Sequence, residues 1–310
     1  MKASKDLASA LERLRKLASE SGLDIGDELG SVEAKVKASS KTESTWRRVE
    51  LARHPDRPYS LDYISRIFDD FTEFHGDRYH GDDQAIVGGI GFLAGRPVTI
   101  IANQKGRNLK ENMRRNHGMA SPEGYRKALR LAKQAEKFHR PIVTFVDTSG
   151  AYPGIEAEER GIGEAIARNL REFSQLKTPI ICVIIGEGGS GGALGICVGD
   201  KIYMLENAVY SVISPEGCAS ILLRDATKAK DAAVMLRITS ADLLEFKVVN
   251  GVIAEPGEGA HADPDKAAAI IKETLVRELD DLCTRNPSVL VRYRNQKILK
   301  VGHWNEGEAE

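Results

Sequence analysis

The chain has 310 residues, with 44 basic against 45 acidic side chains and a formal net charge of −1. That balance argues against a general binder of nucleic acid or of anionic membrane, and 6 % aromatic residues leave no stacking platform for bases. Charge interrupts Met1 to Arg15 throughout, unlike a secretory signal, and the longest apolar runs have strand length, too short to span a bilayer. Cys182, Cys197, Cys218 and Cys283 lie far apart without C-x-x-C spacing, so they read as thiols of a cytoplasmic protein and not as a zinc site or disulfides.

In chain order, residues 1–45 read as separate from the core. Leu7, Leu11, Leu14 and Leu17 recur at helical spacing, and Ser-Gly-rich and Lys-Ser-rich breaks follow. The segment Leu51–Tyr59 carries Pro55 and Pro58 and reads as an ordered bend. Ser60 is expected to cap a helix that buries Leu61, Ile64, Ile67 and Phe68. His75, Asp77, His80, Asp82 and Asp83 follow in a polar loop; a metal site is conceivable there, although solvated loop charge is the simpler account.

The core opens with a strand at Ala85–Ile90, a hairpin turn at Ala94-Gly95-Arg96 and a second strand at Pro97–Ala102. Ser121 and Pro122 open a helix with a buried stripe at Ala128, Leu131, Ala132 and Ala135. A strand at Pro141–Val146 leads to Asp147-Thr148-Ser149-Gly150, and a helix around Ile162, Ile166, Leu170 and Phe173 follows. The apolar run Pro179–Ile185 reads as a strand buried on both faces. Beyond it come strands at Lys201–Leu205 and Val209–Val212, helices near 215–223 and 226–236, a strand at Val248–Ile253, and a last helix from Asp263-Pro264 that buries Ile271, Leu275, Leu279 and Leu282. Repeating strand-strand-helix units set strand ends along one line.

The whole chain is organised around Gly186–Gly195. So many glycines between a buried strand and a short helix leave peptide N–H groups bare, which makes an anion hole. Other motifs overlap here. Gly186, Gly188 and Gly191, with Glu206 beyond, satisfy a dinucleotide fingerprint, but the next apolar run begins too soon for a crossover helix. Gly188-Gly189-Ser190-Gly191-Gly192 matches a nucleophile elbow, and Asp242 and His261 could complete a hydrolase triad with Ser190. The remaining alternatives are an oxyanion hole of backbone N–H groups alone and a tight strand-to-helix turn with no ligand. Asp147-Thr148-Ser149-Gly150 resembles an aspartic-protease signature, yet only one copy exists and that chemistry needs a pair. The turn at Gly150, Ala151 and Tyr152 reads better as a second wall of the same pocket. Glu156, Glu158 and Glu159 then compensate a helix dipole. From Lys105 to Arg140 there are eleven Lys or Arg against three Glu, either a solvated face or a patch for an anionic substrate or acidic partner.

Taken together, Ala52-Arg53-His54-Pro55, Gln104–Arg107, Pro122–Leu131, Asp147–Gly154 with Ala157–Gly161, Gly186–Gly195 and Ser211–Leu222 resemble the family of α subunits of bacterial acetyl-coenzyme A carboxylase carboxyltransferase. The resemblance covers about residues 33–288. Ser149 departs from it, standing where the family often has proline, and in the N-terminal arm only helical character matches. The resemblance implies an α/β fold, the crotonase-type ββα superhelix, with a helical arm over 1–32, the carboxyltransferase domain over 33–288 and a tail over 289–310. It implies transfer of a carboxyl group from carboxybiotin to acetyl-coenzyme A, giving malonyl-coenzyme A for fatty acid synthesis. Biotin would arrive on a separate carrier protein charged by a separate biotin carboxylase, and a β subunit carrying the zinc would complete an α2β2 assembly. No metal or covalent cofactor is expected on this chain. Gly191 and Gly192 are expected to hold the biotin oxygen, with Gly150, Ala151 and Tyr152 on the facing wall and Lys105 or Arg107 on the transferred carboxylate. A Ser190 hydrolase and a non-catalytic assembly subunit are the competing readings.

Overall fold

The computed structural model describes residues 26–302 together with Arg13, Lys16, Leu17, Glu20 and Ser21. Leu7, Leu11 and Leu14 of the expected amphipathic arm lie outside the described residues. The chain divides into two compact units, one formed by residues before Arg48 with Pro215–Leu236, the other by Arg48–Ser214 with the residues from Arg237.

Helix α1 (Gly26–Ala52) runs without interruption through residue 32 and through the Lys-Ser-rich stretch expected to break it. Between Gly30 and Pro55 the sequence offers no glycine or proline, so nothing there stops a helix once begun. In the smaller unit, Lys230 Nζ lies 3.1 Å from Glu43 Oε1. That unit also contains α8 (Pro215–Cys218) and α9 (Ala229–Leu236).

The larger unit is built on an eight-stranded sheet of order β1-β2-β3-β4-β5-β6-β8, with β7 paired to β5. These strands are β1 (Asp69–Glu73), β2 (Ile86–Leu93), β3 (Arg96–Asn103), β4 (Ile142–Thr148), β5 (Ile180–Gly189), β6 (Lys201–Leu205), β7 (Val209–Ser211) and β8 (Gly251–Ile253). β1, β2 and β3 are antiparallel, and from β3 onward all pairings are parallel. The expected hairpin is present: Ala94 and Gly95 both adopt positive φ, joining Leu93 to its partner Arg96.

Every residue of β4 is buried, so this strand is covered on both faces, as expected of β5 beside it. Helices α4 (Pro122–Lys137), α6 (Ile162–Gln175) and α11 (Pro264–Leu282) supply the covering layers; Ala128, Leu131, Phe173, Ile271, Leu275 and Leu279 are fully buried in the common core. Because β3, β4, β5 and β6 run parallel, their carboxyl ends fall on one edge of the sheet, the usual place for a ligand site.

Three local expectations change. Helix α2 (Ser60–Ile67) is entered from Tyr59, whose N–H donates to Asp62 Oδ2 at 2.7 Å, while the Ser60 hydroxyl donates to Asn103 O at 2.6 Å. Serine thus ties the helix to β3 and does not cap it. The strand expected from Val248 begins only at Gly251, because the N–H groups of Val248 and Val249 close helix α10 (Ser240–Glu245) on Leu243 O. Residues 287–299, partly within the expected tail, form helix α12 (Pro287–Leu299), which buries Leu290 and Arg294.

Candidate active site at the carboxyl edge of the sheet

Strand β5 delivers the glycine-rich turn. It ends at Gly189, and Ser190–Leu194 form the single-turn helix α7, whose N-terminus has no side-chain cap. First-turn N–H groups of a helix have no intrahelical acceptor. Those of Gly191 and Gly192 have none elsewhere among the described residues. The glycines are needed for close approach. A Cβ on Gly189 would stand 2.1 Å from Ser149 O, and one on Gly192 would stand 2.3 Å from Ala151 N. Gly191 differs, since a Cβ there would meet only Ile166 at an ordinary 3.8 Å.

Helix α7 is held from below. The buried Tyr125 hydroxyl donates to Gly192 O at 3.0 Å, and Asn169 Nδ2 donates to both Gly195 O and Tyr125 O at 3.0 Å. Burial pushes the Tyr125 phenol pKa up, so it remains a donor. Sequence patterning had given Tyr125 and Asn169 no role; both lie on helices whose buried stripes predict packing alone.

Strand β4 delivers the facing turn. Thr148 Oγ1 donates to Gly150 O at 2.7 Å and accepts the Gly150 N–H at 3.2 Å, while the Tyr152 N–H donates to Ala120 O at 3.0 Å. Of Gly150, Ala151 and Tyr152, only Ala151 keeps its N–H without an acceptor among the described residues. The structure therefore brings Gly192 and Ala151 together, backbone against backbone.

The two cations expected near the transferred carboxylate are already engaged. Lys105 Nζ lies 2.7 Å from Asp147 Oδ1 and 3.2 Å from Glu187 Oε2, with its side chain 14 % exposed. Burial lowers the Lys105 pKa, but the two carboxylates outweigh it and hold the ammonium charged. Arg53 Nε donates to the other oxygen of Glu187 at 2.7 Å. Arg107 pairs with Asp62, donates to Pro55 O at 2.9 Å and stacks over the Tyr59 ring at 3.8 Å. Asp147 is thus one member of a charge network, which explains a lone aspartate at a strand end. Sequence reasoning missed Arg53 and Glu187 as members; the one signal available was a charged residue inside a glycine-rich turn.

The triad of a serine hydrolase is not assembled. Ser190 is exposed at φ 55°, and its hydroxyl makes no hydrogen bond among the described residues. Asp242 pairs with Arg237 and accepts the Thr239 hydroxyl at 2.5 Å, capping α10. The His261 ring stacks on His54, centroids 3.9 Å apart. A dinucleotide unit fails for the reason the spacing gives, as α7 is too short to be its crossover helix. In the polar loop, Asp77 Oδ1 accepts the N–H groups of Tyr79, His80 and Gly81, Asp82 pairs with His75 and Lys127, and Asp83 accepts from Ala85 and Ser121. Those carboxylates are spent on the loop's own folding. Among the described residues no cluster of three or more His, Cys, Asp or Glu is placed to hold a metal. No helix of the described residues is long and apolar enough to cross a membrane.

The mixed sheet, parallel from β3 onward, sets the chain among α/β folds whose ligand sites lie at the carboxyl edge. In fold, the chain is similar to transcarboxylase 12S, solved as a hexamer with methylmalonyl-coenzyme A and methylmalonic acid bound, at a TM-score of 0.60 and 22 % identity over 73 % of this chain. It spans 41 % of that protein's length. The family described as acetyl co-enzyme A carboxylase carboxyltransferase-like matches residues 2–302, and the chain belongs to it. It is 66 % identical over 302 residues to the acetyl-coenzyme A carboxylase carboxyl transferase subunit alpha of Treponema denticola, covering 97 % of this chain and 99 % of the relative. It is 50 % identical to the protein of the same name from Halalkalibacterium halodurans, over 97 % and 94 % of the two chains.

Proposed function

We propose that this chain is the biotin-facing half of a carboxyltransferase that makes malonyl-coenzyme A from acetyl-coenzyme A. One observation carries the reading: at the mouth of α7, beside Ala151, the N–H groups of Gly191 and Gly192 have no acceptor among the described residues. A donor pair of this kind suits an oxygen on which negative charge develops. Carboxybiotin supplies such an oxygen: when its N–CO2 bond breaks, the electron pair passes to the ureido oxygen and carbon dioxide is released. That oxyanion then takes a proton from the acetyl methyl group, and the resulting thioester enolate forms the new carbon–carbon bond with carbon dioxide. Each well-placed donor is worth about 2.7–4 kcal/mol in a site of this type.

In this reading Gly191 and Gly192 hold the biotin oxygen, and the turn at Gly150, Ala151 and Tyr152 forms the facing wall. Arg107, with 40 % of its side chain exposed against 14 % for Lys105, is the better placed of the two cations to meet the transferred carboxylate. The thioester enolate needs a second hole, which falls to a β subunit in an α2β2 assembly, and the zinc belongs on that subunit. Carboxybiotin arrives on a separate carrier protein charged by a separate biotin carboxylase, in the cytoplasm.

The test is to mix the purified chain with the β subunit, malonyl-coenzyme A and free biotin, and to follow acetyl-coenzyme A release. Release is expected only with both chains and biotin present, and at an unchanged rate in Ser190→Ala. Labelling of Ser190 by a fluorophosphonate, with activity lost in Ser190→Ala, would overturn the reading in favour of a hydrolase.

A further inference from the structure

The walls of the site arise from different strands, and one side chain reaches both. Asp147 Oδ1 accepts from Lys105 Nζ at 2.7 Å and from the Glu187 N–H at 3.0 Å, so a single oxygen bridges the ammonium to the backbone of β5. Glu187 closes the ring with Lys105 at 3.2 Å and with Arg53 at 2.7 Å. Arg53 and Lys105 thus balance Asp147 and Glu187, and the ring closes on the start of the glycine turn at Glu187. The stem of Lys105 also lies against the loop that leads to the second wall. Asn116, His117 and Gly118 have φ values of 46°, 56° and 82°, so the loop holds left-handed backbone at each of them. Such conformations persist only where surrounding structure enforces them. Here the loop folds over the lysine: a Cβ on Gly118 would lie 2.7 Å from Lys105 Cγ. The loop continues to Ala120, whose carbonyl holds the Tyr152 N–H at 3.0 Å.

We infer that Lys105 is a positioning residue: through Asp147 and Glu187 it fixes the pitch of the β5 turn, and through the loop at 116–120 it sets the facing wall against that turn. It does so without touching substrate. The inference rests on the reading that the Gly191 and Gly192 amides hold the reacting oxygen.

The experiment uses the complex reconstituted with the β subunit and measures malonyl-coenzyme A decarboxylation with free biotin. Lys105→Met is expected to lower kcat by about 10²-fold, the cost of a small misplacement of a preorganised group. KM for malonyl-coenzyme A should stay within about twofold, because no ground-state contact is removed. Lys105→Met also leaves a buried carboxylate unpaired, so Lys105→Met with Asp147→Asn is the second variant. It should regain thermal stability while kcat stays low. If kcat returns together with stability, or if folded Lys105→Met keeps wild-type kcat, the positioning role is overturned. Gly192→Val separates the two levels. Inactivity there with an active Lys105→Met sinks only the positioning role, whereas activity in both variants sinks the reading beneath it as well.

Discussion

The two edges of the sheet are finished in opposite ways. At the amino edge, Arg294 of α12 is fully buried and spends its guanidinium on Asp200 at 3.0 and 2.7 Å and on the carbonyls of Phe173, Leu176 and Thr178 at 2.7–2.9 Å. Asp200 in turn accepts the Ile180 N–H at 2.8 Å, where β5 begins. At the carboxyl edge the same strand ends in a turn whose donors at Gly191 and Gly192 have no acceptor among the described residues. Leaving polar groups unpaired costs stability, and a strand can carry that cost at one end when the other is fully satisfied. The comparison teaches where to look for chemistry: at the edge whose hydrogen bonds are incomplete.

Four changes would break or sharpen the contrast. The largest effect is expected from Gly192→Val, whose Cβ would press on the Ala151 backbone. Transfer should fall at least about 10²-fold, with assembly intact by size-exclusion chromatography; full activity would remove the carboxyl edge from the mechanism. Next, Arg294→Met breaks a buried pair and should cost about 3–5 kcal/mol in chemical denaturation, while kcat per folded molecule stays near wild type. Gly191→Ala has room beside Ile166. It should change kcat by less than about threefold and leave stability unchanged or slightly raised, because alanine favours a helix by up to about 1 kcal/mol over glycine. The smallest effect concerns acid. Burial pushes the Asp82 pKa up, but Lys127, the Gly76 N–H and His75 outweigh it, bringing the value from 3.8 to about 2. A depressed carboxyl pKa stabilises the folded state above the unfolded value, and that contribution disappears as pH falls from about 4 through about 2. Asp82→Asn should therefore flatten the fall in thermal midpoint across that window, measured by circular dichroism.

Much of this was legible in the sequence because the physics is local. The runs at Ile142–Val146 and Ile180–Ile185 announced strands, the second of them buried on both faces, and the glycines after them announced turns without side-chain cover. The crowding of Gly192 against Ala151 follows from those turns meeting at parallel strand ends. What stayed hidden depends on distant partners or on backbone alone. β1 has a polar sequence, Asp69–Glu73, and exists because β2 offers it an antiparallel partner. Lys105 read as a free cation because its carboxylates lie 42 and 82 residues away. Ser60 read as a cap because its partner, Asn103 O, arrives only with the fold. The helix holding Arg294 was hidden by a composition that alternates charged and apolar residues without a clear stripe.

Where Gly189 meets Ser149 and Gly192 meets Ala151, main chain rests on main chain with no side chain between. The gauge between the two turns is therefore set by peptide units, which substitution barely alters. Ser149 itself is exposed and is in contact through its backbone, so a different residue there leaves the gauge unchanged. Evolutionary drift can repaint the rim of these turns but not part them.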